Sequence, residues 1–115
     1  MKDNIKLVAV DIDGTFVRSD YTYDILRFKQ ILSRMRNVGC NFVVASGNQY
    51  YQLRDLFPDC HNELSFVAEN GAFVKDRTEL VFTANMSKET VDYVIDVCRE
   101  YPEILNVLCG VESAY

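Results

Sequence analysis

The sequence predicts an α/β protein built on a parallel sheet. Three observations carry this. Apolar runs of strand length recur, Lys6-Leu7-Val8-Ala9-Val10, Asn41–Ala45 and Ser65–Ala68, and each reads as a strand buried on both faces. Segments with apolar residues at helical spacing separate them. Each run ends in polar residues, at the strand edge where open α/β sheets place their ligands.

Composition narrows the function classes. The 115 residues are 49% hydrophobic and 25% charged, a globular balance with enough chain for a core. A net charge of -5 argues against a nucleic-acid surface, which needs basic stripes, and means an anionic substrate would need a local cation. No apolar run is long enough to span a bilayer. Met1-Lys2-Asp3-Asn4 leaves no room for a signal peptide, so a cytoplasmic protein is expected. The four cysteines, Cys40, Cys60, Cys98 and Cys109, form no Cys-x-x-Cys pair. They are expected as reduced and mostly buried thiols. His61 stands beside Cys60, but nothing else of ligand type clusters there, and it reads as a loop residue after Pro58-Asp59.

In chain order, the first strand gives way to Asp11-Ile12-Asp13-Gly14-Thr15, and Thr15 to Tyr21 to a loop or small hairpin. Thr22 or Asp20 is expected to cap a helix with Asp24 in its first turn. Ile25, Phe28, Ile31, Leu32, Met35 and Val38 form its apolar stripe, and Gly39 ends it. After the second strand come Ser46-Gly47-Asn48 and a helix from Gln49 to Phe57, with Tyr50, Leu53, Leu56 and Phe57 on one side. The third strand ends in Glu69-Asn70-Gly71, where Asn-Gly signals a turn. Ala72-Phe73-Val74 and Glu79 to Thr83 then flank a turn at Lys75-Asp76-Arg77-Thr78, predicting a hairpin. Ser87 caps a helix from Lys88 to Tyr101, with Val91, Val94, Ile95 and Cys98 as its apolar face and Pro102 beyond. Asn106 to Val111 reads as one more strand.

Chemistry concentrates at the strand ends. Asp11 and Asp13 place two carboxylates together at what reads as a buried edge, which a shared proton or a cation must relieve. Mg²⁺ takes such oxygen ligands and shares them with phosphates, and a carboxylate can be a covalent nucleophile in phosphoryl transfer. Gly14 lets the backbone turn or approach a ligand. The ordinary alternative is an Asp-Gly turn after a strand. Ser46-Gly47 before a helix offers a hydroxyl and backbone N–H groups suited to phosphate, while also serving as a plain N-cap. Asn70 reads first as a turn residue and second as a substrate contact.

These segments resemble the haloacid dehalogenase superfamily, and within it the Cof-type phosphatases. Val8 to Thr15 matches an apolar strand followed by Asp-x-Asp-Gly-Thr. Val43-Val44-Ala45-Ser46-Gly47-Asn48 is similar to the second motif, a strand ending in Ser or Thr. Phe66 to Ala72 resembles the Glu-Asn-Gly-Ala segment of the Cof type. The resemblance implies a Rossmann-like core whose N-terminal half is residues 1–84, and the start of a type IIB cap in 85–115. It implies a Mg²⁺-dependent phosphatase of small phosphorylated metabolites. Asp11 would be the nucleophile and Asp13 the acid and base. Gly14, Thr15, Ser46 and Gly47 would bind phosphate, with Asn48 and Asn70 near the substrate. Mg²⁺ would be held by the Asp11 carboxylate and the Asp13 backbone carbonyl.

Many relatives carry Arg where this chain has Asn48, so that cation is missing. The family's third motif, a Lys, and its fourth, an acidic pair, have no counterpart here, since Lys75 and Lys88 fall in the hairpin and the later helix. A fragment of a longer protein is therefore expected, weak or inactive alone. Its strand order would run 3-2-1 and leave the first strand as a raw edge open to association. Two other classes fit less of the sequence. One is a non-catalytic module binding Mg²⁺ or a partner chain. The other is a receiver-like phosphoacceptor, whose acid should follow the third strand, where this chain has Glu69-Asn70-Gly71. Beryllofluoride with Mg²⁺ separates them, because a complete receiver binds it well and an incomplete hydrolase site poorly.

Overall fold

The computed structural model describes residues 4–112 and 114–115, so the reading of Met1-Lys2-Asp3 lies outside the described residues. The chain forms two compact units, Met1–Thr83 and Ala84–Tyr115. The first holds a five-stranded sheet in the order β1-β2-β3-β4-β5. β1 (Leu7–Val10), β2 (Asn41–Ala45) and β3 (Ser65–Ala68) are parallel. β4 (Phe73–Asp76) and β5 (Glu79–Thr83) extend the sheet antiparallel. The α/β class and the 3-2-1 order are as expected. The hairpin closes more tightly than expected, over Arg77-Thr78, because Lys75 and Asp76 belong to β4 and Asp76 pairs with Glu79. β4 also pairs with β3, so the Glu69-Asn70-Gly71 turn joins a second hairpin.

One expectation about β1 fails. Leu7, Val8 and Ala9 are exposed rather than buried on both faces, with Leu7 at 53% and Val8 at 37%, and Val10 is half-buried against the core. The cause is position. As the outermost strand it has β2 on one side only, and half of its backbone groups face outward.

The core lies against β2 and β3. α1 (Ile25–Asn37) contributes Phe28 and Leu32, and α2 (Tyr50–Asp55) contributes Tyr50 and Leu53. Asp24 caps α1 by accepting from the Arg27 N–H at 2.9 Å. Asp20 does not serve as the cap, because its carboxylate accepts from the backbone N–H and hydroxyl of Thr22. Gly39, at φ +69°, ends the helix in the left-handed region. Ile25, Ile31 and Val38 of the stripe stay exposed, so the buried face is narrower than the periodicity suggested. α2 is shorter than the predicted span, because Leu56 and Phe57 bond back three residues, to Leu53 and Arg54. Phe57 precedes Pro58, which disfavours the α conformation there. Phe57 itself is fully buried in an aromatic cluster with Phe16, Tyr23, Phe28 and Phe66.

Tyr23 gives this cluster a pH dependence. Its hydroxyl donates to the Leu56 carbonyl, and burial, aided by Cys60, pushes its pKa up to about 12 from 10.0. The folded state thus holds the proton where the unfolded chain releases it. Its contribution to stability is full below pH 10 and falls as pH rises toward 12. Urea midpoints should drop across that window, and Tyr23→Phe should flatten the drop.

The cysteines are less buried than expected. Cys60 is buried, Cys40 and Cys98 are half-buried and Cys109 is exposed. In the second unit α3 (Lys88–Arg99) begins as expected, with Ser87 Oγ accepting from the Thr90 N–H at 3.1 Å. Val94, Ile95 and Cys98 face Ile104, Val107 and Leu108 across a groove of about 320 Å³. No described residue beyond Thr83 is buried. Asn106 to Val111 is not a strand. Among the described residues it carries an isolated bridge, Cys109 to Ala114, beside reciprocal backbone bonds between Leu108 and Tyr115. Among the described residues no helix is long and apolar enough to cross a membrane.

Candidate functional site

The site begins one residue past β1. Alternation along extended chain sends Ile12 into the core, where it is fully buried, and leaves Asp11 and Asp13 exposed on either side of it. The Ile12 carbonyl accepts the N–H groups of Thr15, Phe16 and Val17 at 3.1–3.2 Å. That wrap needs a left-handed residue, and Gly14 supplies it at φ +70°. The loop then returns Phe16 to the aromatic cluster. Each acid receives a neutral donor. The Thr15 hydroxyl donates to Asp11 Oδ2 at 3.3 Å, and Asn48 Nδ2 donates to Asp13 Oδ2 at 3.1 Å.

Both acids being exposed corrects the expectation of a buried pair. The reason is again the edge position of β1. Nothing in the described residues packs outside it, so the two carboxylates stand open to solvent.

The second and third strand ends meet the first. β1 pairs with β2 up to Val10 opposite Val44, and β2 with β3 up to Ala45 opposite Val67, which brings Asp11, Ala45 and Val67 to one edge. These three, with Ser46, Gly47 and Asn70, line a cavity of about 300 Å³. Ala45 and Val67 were not singled out from the sequence. The signal for them was their place immediately inside the polar strand ends. The β2 and β3 loops are stitched together, with the Asn70 N–H on the Ser46 carbonyl at 3.2 Å and the Glu69 N–H on the Asn48 carbonyl at 3.0 Å. Glu69 and Asn70 both adopt positive φ to make this turn.

Ser46 is not the cap of α2. Gln49 holds that position, and Ser46 Oγ accepts instead from the Asn48 N–H at 3.1 Å. α2 has six residues, so the helix end expected to favour a phosphate is weak. What the β2 end presents to the cavity is the loop itself, Ser46 and Gly47. A Cβ on Gly47 would come within 3.0 Å of Asn70 Oδ1. Gly47→Ala should therefore displace the Asn70 amide and perturb the cavity, while thermal stability changes by no more than about 1 kcal/mol because the neighbour is an exposed side chain. Amide shifts of Asn70 and a melting curve check both parts.

Among the described residues no cluster of three or more His, Cys, Asp or Glu side chains could hold a metal. The acid pair fits Mg²⁺ in a more limited way, since that ion accepts one or two carboxylates and completes its shell with water and phosphate oxygens. Thr15 is near Asp11, Asn48 near Asp13, and Gly14 shapes the turn between. The other residues weighed from the sequence lie elsewhere. His61 Nδ1 sits 3.4 Å from the Phe57 carbonyl, in a 3-10 turn. Lys75 donates to the Tyr50 hydroxyl at 3.1 Å, and Tyr50 stacks on Phe73.

The profile of the haloacid dehalogenase-like hydrolases matches residues 8–115. The 5-amino-6-(5-phospho-D-ribitylamino)uracil phosphatase YbjI of Escherichia coli (strain K12) is 46% identical over 112 residues, 97% of this chain and 41% of that protein. Phosphoglycolate phosphatase 1 of Saccharolobus solfataricus is 33% identical over 89 residues, 76% of this chain and 39% of that protein. The crystal structure of SMU.1108c from Streptococcus mutans UA159 matches with a TM-score of 0.88 at 39% identity, over 96% of this chain and 42% of that one. The chain thus spans about two-fifths of the length of these relatives.

Proposed function

The chain belongs to the haloacid dehalogenase-like hydrolase family, and from that premise we propose that it carries the nucleophile and the acid–base of a Mg²⁺-dependent phosphatase of small phosphorylated metabolites. The observation that supports this best is the acid pair straddling buried Ile12, with Asp11 on the same cavity wall as Ser46. In this reading residues 1–84 are the first half of the catalytic core and 85–115 the start of a cap. The receiver-like alternative falls with the family.

The chemistry follows from the residues. An Asp11 carboxylate oxygen attacks the phosphorus of a monoester, and the bond from phosphorus to the leaving alcohol breaks. Asp13 gives its proton to the departing oxygen, which leaves as the alcohol. Asp13, now a carboxylate, takes a proton from a water. That water attacks the same phosphorus, and the Asp11–phosphorus bond breaks to release inorganic phosphate. Ser46 and the Gly47 backbone hydrogen-bond the phosphoryl oxygens, with Gly14 and Thr15 closing the loop beside them. Asn48 orients Asp13, and Asn70 faces the substrate side of the cavity. Mg²⁺, held by Asp11 and Asp13, would neutralise phosphoryl charge when bound.

The relative's substrate, 5-amino-6-(5-phospho-D-ribitylamino)uracil, is the first ester to try. The test is a chimera in which this chain replaces the matching part of the E. coli relative. The chimera should release phosphate in Mg²⁺ and fall to background in EDTA, whereas the 115-residue chain alone should turn over weakly or not at all. A correctly folded chimera with no Mg²⁺-dependent hydrolysis of any phosphate monoester would overturn the reading.

A further inference from the structure

A second cavity, of about 380 Å³, lies at the opposite end of β2 from Ser46. Its apolar floor is Leu32 and Phe42. Its polar wall is drawn from separate elements, Arg36 from α1, Asn41 from the start of β2, Glu63 from the 3-10 turn and Arg77 from the β4–β5 turn. We propose that this cavity binds a small organic carboxylate carried on an apolar body.

Charge decides the ligand class. Arg36 pairs with Glu63, so that guanidinium is already neutralised. Arg77 donates to the neutral Asn41 Oδ1 at 3.4 Å, a long bond that a carboxylate would readily replace. The cavity therefore presents one net positive charge, on a chain whose total is -5. A monoanion matches that charge. A phosphate monoester, carrying close to two negative charges, would be left undercompensated. The planar fork of a guanidinium also fits a carboxylate with two parallel hydrogen bonds. Arg77 is held for this role, because its own N–H donates to the Leu64 carbonyl at 3.0 Å and anchors the turn to the chain entering β3. The volume falls at the small end of the range for ligand cavities, roughly 300–1,000 Å³. Leu32 and Phe42, each 6% exposed, show the cavity small apolar edges against which a ring or short alkyl body can rest. None of these residues touches the acid pair, so the proposal stands or falls apart from the phosphatase reading.

The test uses the 115-residue chain, uniformly labelled with ¹⁵N, and three probes of similar shape: benzoate, benzyl alcohol and phenyl phosphate. Benzoate should give saturable shifts confined to amides around the cavity, with Gly39, Asn62 and Arg77 as reporters. Benzyl alcohol and phenyl phosphate should bind there more weakly. Arg77→Gln should weaken benzoate about tenfold, the loss expected for a charge-assisted contact. The comparison of probes on the unaltered chain needs no variant, so it stands even if Arg77→Gln disturbs the turn. Benzoate binding no tighter than benzyl alcohol, or phenyl phosphate binding tightest at these amides, would overturn the proposal. So would full benzoate affinity in a folded Arg77→Gln variant.

Discussion

Asp11→Asn is expected to lower phosphate release by the chimera about 10³-fold or more while leaving the fold unchanged. The amide has the same shape, and Asp11 is exposed, so no packing is lost. Its contact with the Thr15 hydroxyl survives in altered form, because an amide oxygen still accepts. What disappears is the nucleophile. The discriminating readout is the covalent intermediate. Acid-quenched protein should carry one phosphoryl group on the peptide containing Asp11, and none in Asp11→Asn. A phosphoryl group on any other residue, or turnover retained in Asp11→Asn, would remove Asp11 from its assigned role. Asp13→Asn should differ in kind, since Asp11 would still be available to attack but the leaving oxygen would lack its proton donor.

Phe57→Ala is expected to destabilise the first unit by about 3–5 kcal/mol, the range for removing a fully buried aromatic ring. The ring lies 5.4–6.2 Å from those of Phe16, Tyr23, Phe28 and Phe66, so aromatic pairing is lost along with burial. Against a usual total of about 5–15 kcal/mol, such a loss leaves little reserve. Urea unfolding followed through the tyrosines should show the midpoint falling sharply or the folded baseline vanishing. The effect should reach the site as well. The Phe16 N–H bonds the carbonyls of Asp11 and Ile12, so loosening its ring loosens the wrap that holds the acid-bearing segment. A midpoint within experimental error of the parent would mean that the cluster is not the keystone of this core.

The sequence was most legible where structure is local. β2 and β3 were read to the residue, because each is an apolar run closed by polar or turn-forming neighbours. Asp11 and Asp13 were legible for the same reason, as two acids spaced by one apolar residue. What depends on distant partners was not. Whether β1 is buried depends on what lies beyond it, which no residue of β1 encodes. Asn106 to Val111 has the composition of a strand, but its pairing among the described residues stops at an isolated bridge, and strand formation is settled by pairing. Asp20, Thr22 and Asp24 all suit an N-cap, and the choice fell to geometry, with Asp20 turned back on Thr22. The contact of Asn48 with Asp13 joins positions 35 apart and has no signature in either segment.

The two backbone bonds that stitch the β3 turn to the β2 loop have a consequence for how this site could change over evolutionary time. Asn70 and Glu69 donate to Ser46 and Asn48 through main chain, so their bonds tolerate many side chains but not a change of loop length. The two loops are therefore locked in size, while their identities are constrained only where geometry or the site requires it, as at Gly47 and the positive-φ pair Glu69 and Asn70. An insertion in either would have to be matched by a compensating change in the other. New substrate preferences would arise by substitution within these loops, or by variation in chain outside them.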